Sequence, residues 1–253
     1  MLKSTWDNVG AVILAAGKGT RLNATDKPKV MLPIGGNPIV SYIVTTLEKI
    51  GFTPEQICLV VGFQQEKVRD YFGSRVRCAL QTEQKGTAHA AFTGMKIFPT
   101  KIEEVLVMGG DDSAFYTPGT LQWFIQEHLT NKAVLTLLSA EVENPEQLGR
   151  IVRHQDGKIE IIEKEYLTEE QKKIKEISTG TFMLNRKWFE EMFPSMPPLR
   201  KLGEYGLPTA LAMARDRGLP YQVITLKNSE EWFGVNTPEE LAEADSRKRK
   251  TVL

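Results

Sequence analysis

Residues 9–15, VGAVILA, form an apolar run without a single polar side chain; comparable runs return at 57–62 and 105–108, and a shorter β-rich stretch at 76–81. A strand with one face in water alternates apolar and polar residues, whereas a run apolar throughout belongs to a strand covered on both faces. Helical segments lie between the runs. In one, Ile39, Ile43, Leu47 and Ile50 fall on one helix face. Asn37 suits its N-cap, Pro38 its first position and Gly51 its stop. Short buried strands alternating with amphipathic helices predict an α/β fold, a mostly parallel sheet with helices on both faces.

The rhythm changes after Thr130. Residues 133–140 read as a strand, 149–153 and 158–164 flank Asp156-Gly157 as a hairpin, and strand 177–184 precedes a helix carrying Trp188, Phe189 and Met192. No Ser/Gly-rich linker or internal repeat intervenes. The expectation is one domain over 1–253, with a first half at about 7–130 and a second half, containing the hairpin, at about 131–245.

The 253 residues are enough to bury a large core unaided. Lys+Arg and Asp+Glu both number 32, a balance that argues against nucleic acid as partner. The basic group at 247–250 reads as a solvated helix end or frayed tail. Cys58 and Cys78 sit in apolar runs without metal-ligand spacing and read as reduced, buried thiols. No stretch has the length of a membrane span, and the opening MLKSTWDN lacks a signal-peptide pattern. A cytoplasmic protein is expected; oligomeric state is not legible.

The segment LAAGKGTRL at 14–22 follows the first strand directly. In open α/β sheets, ligands bind where loops leave the carboxyl ends of strands. Gly17 and Gly19 let the backbone approach a phosphate chain, and Lys18, Arg21 and Lys29 add positive charge. A glycine pair alone is weak evidence. Leu22 stands where a dinucleotide fingerprint has its third glycine, and the order of Lys18 and Gly19 excludes a GxxxxGK[ST] loop.

LAAGKGTRL followed by KPKVMLPIGGNPIV resembles the N-terminal signature of sugar-1-phosphate nucleotidyltransferases. QTEQKGTAHA (81–90), LGRIVR (148–153), EISTGTF (176–182), GEYGLPTALAMA (203–214) and GVNTPEEL (234–241) have counterparts in the same order. Together they look like the uridyltransferase part of the bifunctional enzyme that makes UDP-N-acetylglucosamine. The resemblance implies a Rossmann-like nucleotidyltransferase fold. It also implies transfer of a nucleotidyl group, uridylyl from UTP, to a sugar-1-phosphate with release of pyrophosphate.

On that resemblance, Arg21 and Lys29 hold phosphates and stabilise the transition state. Leu14, Ala15, Gly17, Gly19, Gln81, Gly86 and Thr87 bind the nucleotide. Gln81 offers a donor and an acceptor to uracil, and Thr87 reads as the N-cap of the next helix. Asp111, ending the run 105–110, and Asn236, just before the capping pattern Thr237-Pro238-Glu240, are the implied Mg2+ ligands. Asp112 reads as a local cap. Gly149, Glu163 and Ser178 fall to the sugar. The phosphate nucleophile is already anionic near neutral pH, so no general base is required.

Two positions depart from the pattern. Ser178 replaces an asparagine, and Gly109 replaces an aromatic residue, which together predict a roomier sugar pocket. No hexapeptide repeat follows, so no left-handed β-helix and no acetyltransferase activity are expected. Alternatives remain open: glucose-1-phosphate with UTP or dTTP, phosphocholine with CTP, or a non-catalytic nucleotide-sugar sensor.

Overall fold

In the computed structural model, which describes residues 6–17, 19–22, 26–145, 148–199 and 203–251, the first apolar run is β1 (Val9–Ala15), buried along nearly its whole length. A two-stranded ribbon, β2 (Pro33–Ile34) and β3 (Asn37–Pro38), leads into α1 (Ile39–Lys49). Then come β4 (Ile57–Val61), α2 (Gln65–Phe72), β5 (Arg77–Leu80), α3 (Thr87–Met95), β6 (Glu104–Gly109) and α4 (Pro118–Asn131). The second half continues with β7 (Leu135–Glu141), β8 (Arg150–Arg153), β9 (Ile159–Ile162), α5 (Glu169–Lys172), β10 (Glu176–Asn185) and α6 (Arg186–Met192). It closes with α7 (Leu207–Asp216), β11 (Tyr221–Thr225) and α8 (Pro238–Thr251).

The large sheet runs β11-β7-β10-β6-β1-β4-β5, with the β8–β9 hairpin attached to β10. β6, β1, β4 and β5 are parallel neighbours, and β11 is parallel to β7. β10 lies between β6 and β7 and is antiparallel to both. All the parallel strands therefore end on the edge where β10 begins. Alternate residues of β1 serve opposite faces, as a strand buried on both sides requires. Ala11, Ile13 and Ala15 pack with α1, α2 and α4, and Val12 packs with α3, α6 and α7.

Three local expectations are corrected. Asn37 and Pro38 pair with Ile34 and Pro33 in the ribbon, so α1 begins at Ile39 and Asn37 makes no cap. The residue before α3 is Gly86, at φ +93°, so Thr87 is the first helical residue and not the cap. The group at 247–250 lies at the end of α8, as expected, but only Arg249 and Lys250 are exposed: Arg247 stacks on two phenylalanines and Lys248 is half-buried. No helix among the described residues is long and apolar enough to cross a membrane.

Gly94 fixes how closely α3 can approach the sheet. A Cβ there would come within 2.7 Å of Val12 and 2.9 Å of Val60. Gly119, exposed in the first turn of α4, has nothing closer than 4.0 Å. Gly94→Ala is therefore expected to destabilise the fold by about 1–3 kcal/mol through overpacking. Gly119→Ala, relieved of glycine's entropy cost, is expected to gain about 0.5 kcal/mol. At roughly 2–4 °C per kcal/mol for a chain of this size, thermal unfolding would show shifts of opposite sign.

Candidate active site

The loops on the edge where the parallel strands end enclose a cleft of about 630 Å³. Of the residues singled out from sequence, Leu14, Gly17, Lys29, Gln81, Gly86, Thr87, Asp111, Gly149, Glu163, Ser178 and Asn236 line it. Ala15 is buried in the sheet behind the cleft, Gly19 packs against the Lys29 stem, and Arg21 stays exposed on a neighbouring turn. Those three do not line the cleft, and Lys18 lies outside the described residues.

At the centre, Lys29 Nζ donates to Asp111 Oδ2 and, at 2.8 Å, to Asn236 Oδ1. Lys29 is a turn residue only 9 % exposed. Gly19 makes its burial possible: at φ +67° it passes so close that a Cβ would meet the Lys29 Cβ at 2.7 Å. The Asn236 and Thr237 amides both donate to Glu240 Oε2, at 2.6 and 2.9 Å, while the Glu240 amide donates to Thr237 Oγ1 at 3.2 Å. This is the predicted capping box, and it holds Asn236 at the mouth of α8. The Val235 amide, donating to the Asp111 carbonyl at 3.1 Å, ties the two loops together.

Two hard oxygens from separate loops thus converge on one cationic group, the donor set a magnesium ion takes. Among the described residues no cluster of three or more His, Cys, Asp or Glu could hold a metal alone. Asp111 and Asn236 would supply the protein ligands, and phosphate oxygens and water the others.

On the base side, Gln81 Nε2 lies 3.3 Å from the Gly86 carbonyl and 2.9 Å from His89 Nδ1, so the protein itself fixes one end of this amide. Burial and the nearby Lys85 charge hold the His89 pKa down, which favours the neutral ring. At Gly86 a Cβ would meet the Tyr205 carbonyl oxygen at 2.5 Å. The Tyr205 amide donates to the Lys85 carbonyl at 2.7 Å, and the Ala88 amide donates to the Tyr205 carbonyl at 2.8 Å. Thr87 Oγ1 accepts from the Leu207 amide at 3.0 Å. Segment 204–208, which also lines the cleft, is thereby fastened to the base loop. The GEYGLPTALAMA motif marked this segment, but its spacing carried no sign of which residues face inward.

On the acceptor side, a Cβ on Gly149 would lie 3.4 Å from Glu163 Oε2, and burial raises the Glu163 carboxyl above its ordinary pKa. Ser178 stands where the β10–β7 register shifts between Ser178 and Thr181. Its Oγ accepts from the Gly180 amide at 3.3 Å, and Trp232 Nε1 donates to the Thr179 carbonyl at 3.0 Å. Such a bulge re-aims side chains at the end of a strand. Asp112, expected as a local cap, is enclosed instead. It is no solvent-facing cap: Oδ1 is buried without a hydrogen-bond partner, and burial together with the Asp111 charge pushes its carboxyl well above the usual range. Nor does Gly109 leave added room, because its Cβ position lies 2.6 Å from that same Oδ1. The space beside Gly109 belongs to the Asp112 carboxyl.

An open, mostly parallel sheet with Gly17 and the Lys29–Asp111–Asn236 cluster lining a cleft at its carboxyl edge defines an α/β nucleotide-binding fold. A profile described as nucleotidyl transferase matches residues 10–250, and the chain belongs to that family. The bifunctional protein GlmU of Symbiobacterium thermophilum is 37% identical over 248 residues, 97% of this chain and 52% of the relative. That of Heliobacterium modesticaldum is 35% identical over 237 residues, 93% and 51%. The chain spans about half the length of these curated relatives. A solved structure described as a glucose-1-phosphate thymidylyltransferase from Bacillus anthracis, in complex with a sucrose, superposes with a TM-score of 0.78. It is 23% identical and covers 95% of both chains, which establishes the shared fold.

The Gly109–Asp112 contact predicts non-additive stability. Gly109→Ala alone is expected to destabilise by about 1–3 kcal/mol, because the new methyl group must displace a buried carboxyl. In Gly109→Ala/Asp112→Ala most of that loss should disappear, giving an interaction energy of about 0.5–3 kcal/mol in a double-mutant cycle of chemical denaturation. Additive losses would show that the two side chains do not share the space.

Proposed function

We propose that this protein transfers a nucleotidyl group, uridylyl from UTP, to a sugar-1-phosphate and releases pyrophosphate. N-acetylglucosamine-1-phosphate is the first acceptor to test. The observation that carries the reading is the convergence of Lys29, Asp111 and Asn236 at the junction of the base side and the acceptor side.

In this reaction an acceptor phosphate oxygen attacks the α-phosphorus. The bond from that phosphorus to the oxygen bridging the β-phosphate breaks, and pyrophosphate leaves with the electron pair. The nucleophile needs no deprotonation, since the second pKa of a phosphate monoester is about 6. The protein's task is charge neutralisation and alignment. Lys29 brings its ammonium to the phosphates, and Asp111 and Asn236 would hold magnesium, which supplies electrostatic stabilisation of the phosphate charge. Gly17 opens backbone space for the triphosphate. Gln81, its nitrogen held by His89 and Gly86, presents its carbonyl oxygen to a ring N–H. Glu163 accepts from acceptor hydroxyls next to Gly149. Arg21 is proposed to act on phosphate only through movement of its turn, since in this structure it lies outside the cleft.

Pyrophosphate release measured from UTP, dTTP and CTP against N-acetylglucosamine-1-phosphate, glucose-1-phosphate and phosphocholine tests the reading directly. Turnover with UTP and a sugar-1-phosphate is expected; binding without turnover would identify a sensor instead. Asp111→Ala is expected to lower kcat at least about a hundredfold, the scale of losing one strong electrostatic stabiliser. Near-normal turnover at ordinary magnesium concentrations would remove Asp111 from the metal site.

Ser178→Asn is expected to shift the kcat/KM ratio between the N-acetyl sugar and glucose-1-phosphate by about 1–3 kcal/mol, the range for a modest change in pocket contacts. An unchanged ratio would place discrimination elsewhere, with Asp112 and Glu163 next in line.

A further inference from the structure

Asp111 and Asn236 stand on separate loops, and what fixes their separation lies partly beyond the cleft. Phe115, four residues after Asp111, meets Phe233, three before Asn236, edge to face with centroids 6.0 Å apart at 78°. The Arg247 guanidinium covers both rings, 4.5 Å from the Phe115 centroid and 4.8 Å from that of Phe233, and its Nη2 donates to the Glu230 carbonyl at 2.6 Å. Lys248 Nζ donates to the Ala114 carbonyl at 2.7 Å and sits 4.3 Å over the rings of both Phe115 and Tyr42. A Cβ on Gly35 would meet the Lys248 Cβ at 2.8 Å, so the β2–β3 turn also presses on this part of α8. The Gly35 amide donates to Asp245 Oδ1 at 2.8 Å.

An α-helix is a stiff rod rising 1.5 Å per residue, so Lys248 lies roughly 15 Å along α8 from its capped start. Fixing the far end of the rod fixes the direction of its start, where Asn236 is held. The same two cations grip the loop that leaves Asp111.

We propose that Arg247 and Lys248 are positioning residues that hold the two metal-ligand loops at the separation a divalent cation requires. This inference rests on the metal-site reading above. The clamp is a partly desolvated cation between aromatic faces, where such contacts are worth most. Burial, then the Arg247 charge, lowers the Lys248 pKa to about 8. The other titratable and charged groups around it are Arg247 and Asp245 on α8 and Tyr42 on α1. The Tyr42 hydroxyl is engaged in donating to the Ile34 carbonyl at 2.6 Å, and Asp245 pairs with Arg249 at 2.7 Å.

The test compares the parent with Lys248→Met, Lys248→Arg and, as a control, Lys250→Met. Mn2+ binding in the presence of UTP is followed by water-proton relaxation, alongside the Mg2+ dependence of turnover, binding of metal-free UTP and thermal unfolding. Lys248→Met is expected to weaken Mn2+ binding and raise the Mg2+ requirement about 10–100-fold, the range for losing an outer-shell support. Metal-free UTP binding should be unchanged. Lys248→Arg should restore most of the metal affinity, and Lys250→Met should match the parent.

The pH profile supplies a second readout. The neutral amine forms above about pH 8, so an alkaline loss of Mn2+ affinity in the parent should be absent from Lys248→Arg. A Lys248→Met variant with lowered unfolding temperature but parental metal affinity, or one unchanged in both, overturns the clamp alone. A parent with no metal-dependent signal overturns the metal-site reading, and the clamp with it.

Discussion

A single ammonium group joins parts of the chain 82 and 207 residues apart: Lys29 Nζ, between Asp111 and Asn236. Most of the cleft's electrostatics follows from it. Lys29 is the one basic side chain among the described residues lining the cleft, whereas Asp111, Asp112, Glu163 and Glu204 are all acidic. Without that cation, Asp111 and the buried Asp112 would face each other in a medium that screens poorly, and neighbouring carboxylates cannot both stay ionised cheaply there. The glycine loop carries a matching constraint. Gly19 must be glycine because its left-handed backbone presses on the Lys29 stem, a reason separate from any approach to phosphate.

The sheet explains why the two halves share one cleft. Parallel strands deliver Asp111 and Gln81 to the same edge from β6 and β5. An all-parallel arrangement would start the next strand on the opposite edge. β10 runs the other way, so Ser178 to Gly180 begin where the others finish, and the bulge turns them inward. Through the Ile177–Arg150 pair β10 also anchors the β8–β9 hairpin, which brings Gly149 and Glu163 to the cleft.

Legibility in the sequence followed the range of the forces involved. The strands of the first half, the hairpin and the capping box at Thr237 rest on local periodicity and local hydrogen bonds, and each stands within a residue or two of its predicted place. The helix starts at Asn37 and Thr87 were misread because tertiary partners outcompeted local caps: the ribbon claimed Asn37, and the Leu207 amide claimed the Thr87 hydroxyl. The site residues came from motif resemblance, and the structure gathers most of them. It leaves Arg21 outside, because nothing in a spacing shows which way an exposed turn points. Asp112 and Lys248 had no local sign. A carboxylate beside an acid looks like a cap, and a lysine in a basic group looks solvated, until the end of β6 at Gly109 closes over the one and the rings of Phe115 and Tyr42 over the other.

The glycines show how firmly each part of the cleft is specified. On the nucleotide side the neighbours of the missing Cβ atoms include main chain: the Tyr205 backbone at Gly86, the Leu14 carbonyl at Gly110 and the Ala16 carbonyl at Gly62. At Gly86 the Tyr205 carbonyl oxygen would lie 2.5 Å from a Cβ and cannot give way, whereas at Gly110 and Gly62 the main-chain atoms at 3.1 Å would have to yield by only a few tenths of an ångström. Gly149 is held in the same manner by the Ile162 carbonyl at 3.0 Å, but Gly109 abuts a side-chain end, that of Asp112. Side chains can be exchanged as pairs, one growing as the other shrinks, while the sheet stays where it is. On the proposed reading, nucleotidyl transfer asks the protein mainly for charge and alignment at the phosphates. On the same reading, acceptor choice falls to the part of the cleft with exchangeable side chains, where this chain carries Gly109, Asp112 and Ser178. Likeness to a relative therefore transfers the phosphate chemistry more securely than it transfers the sugar.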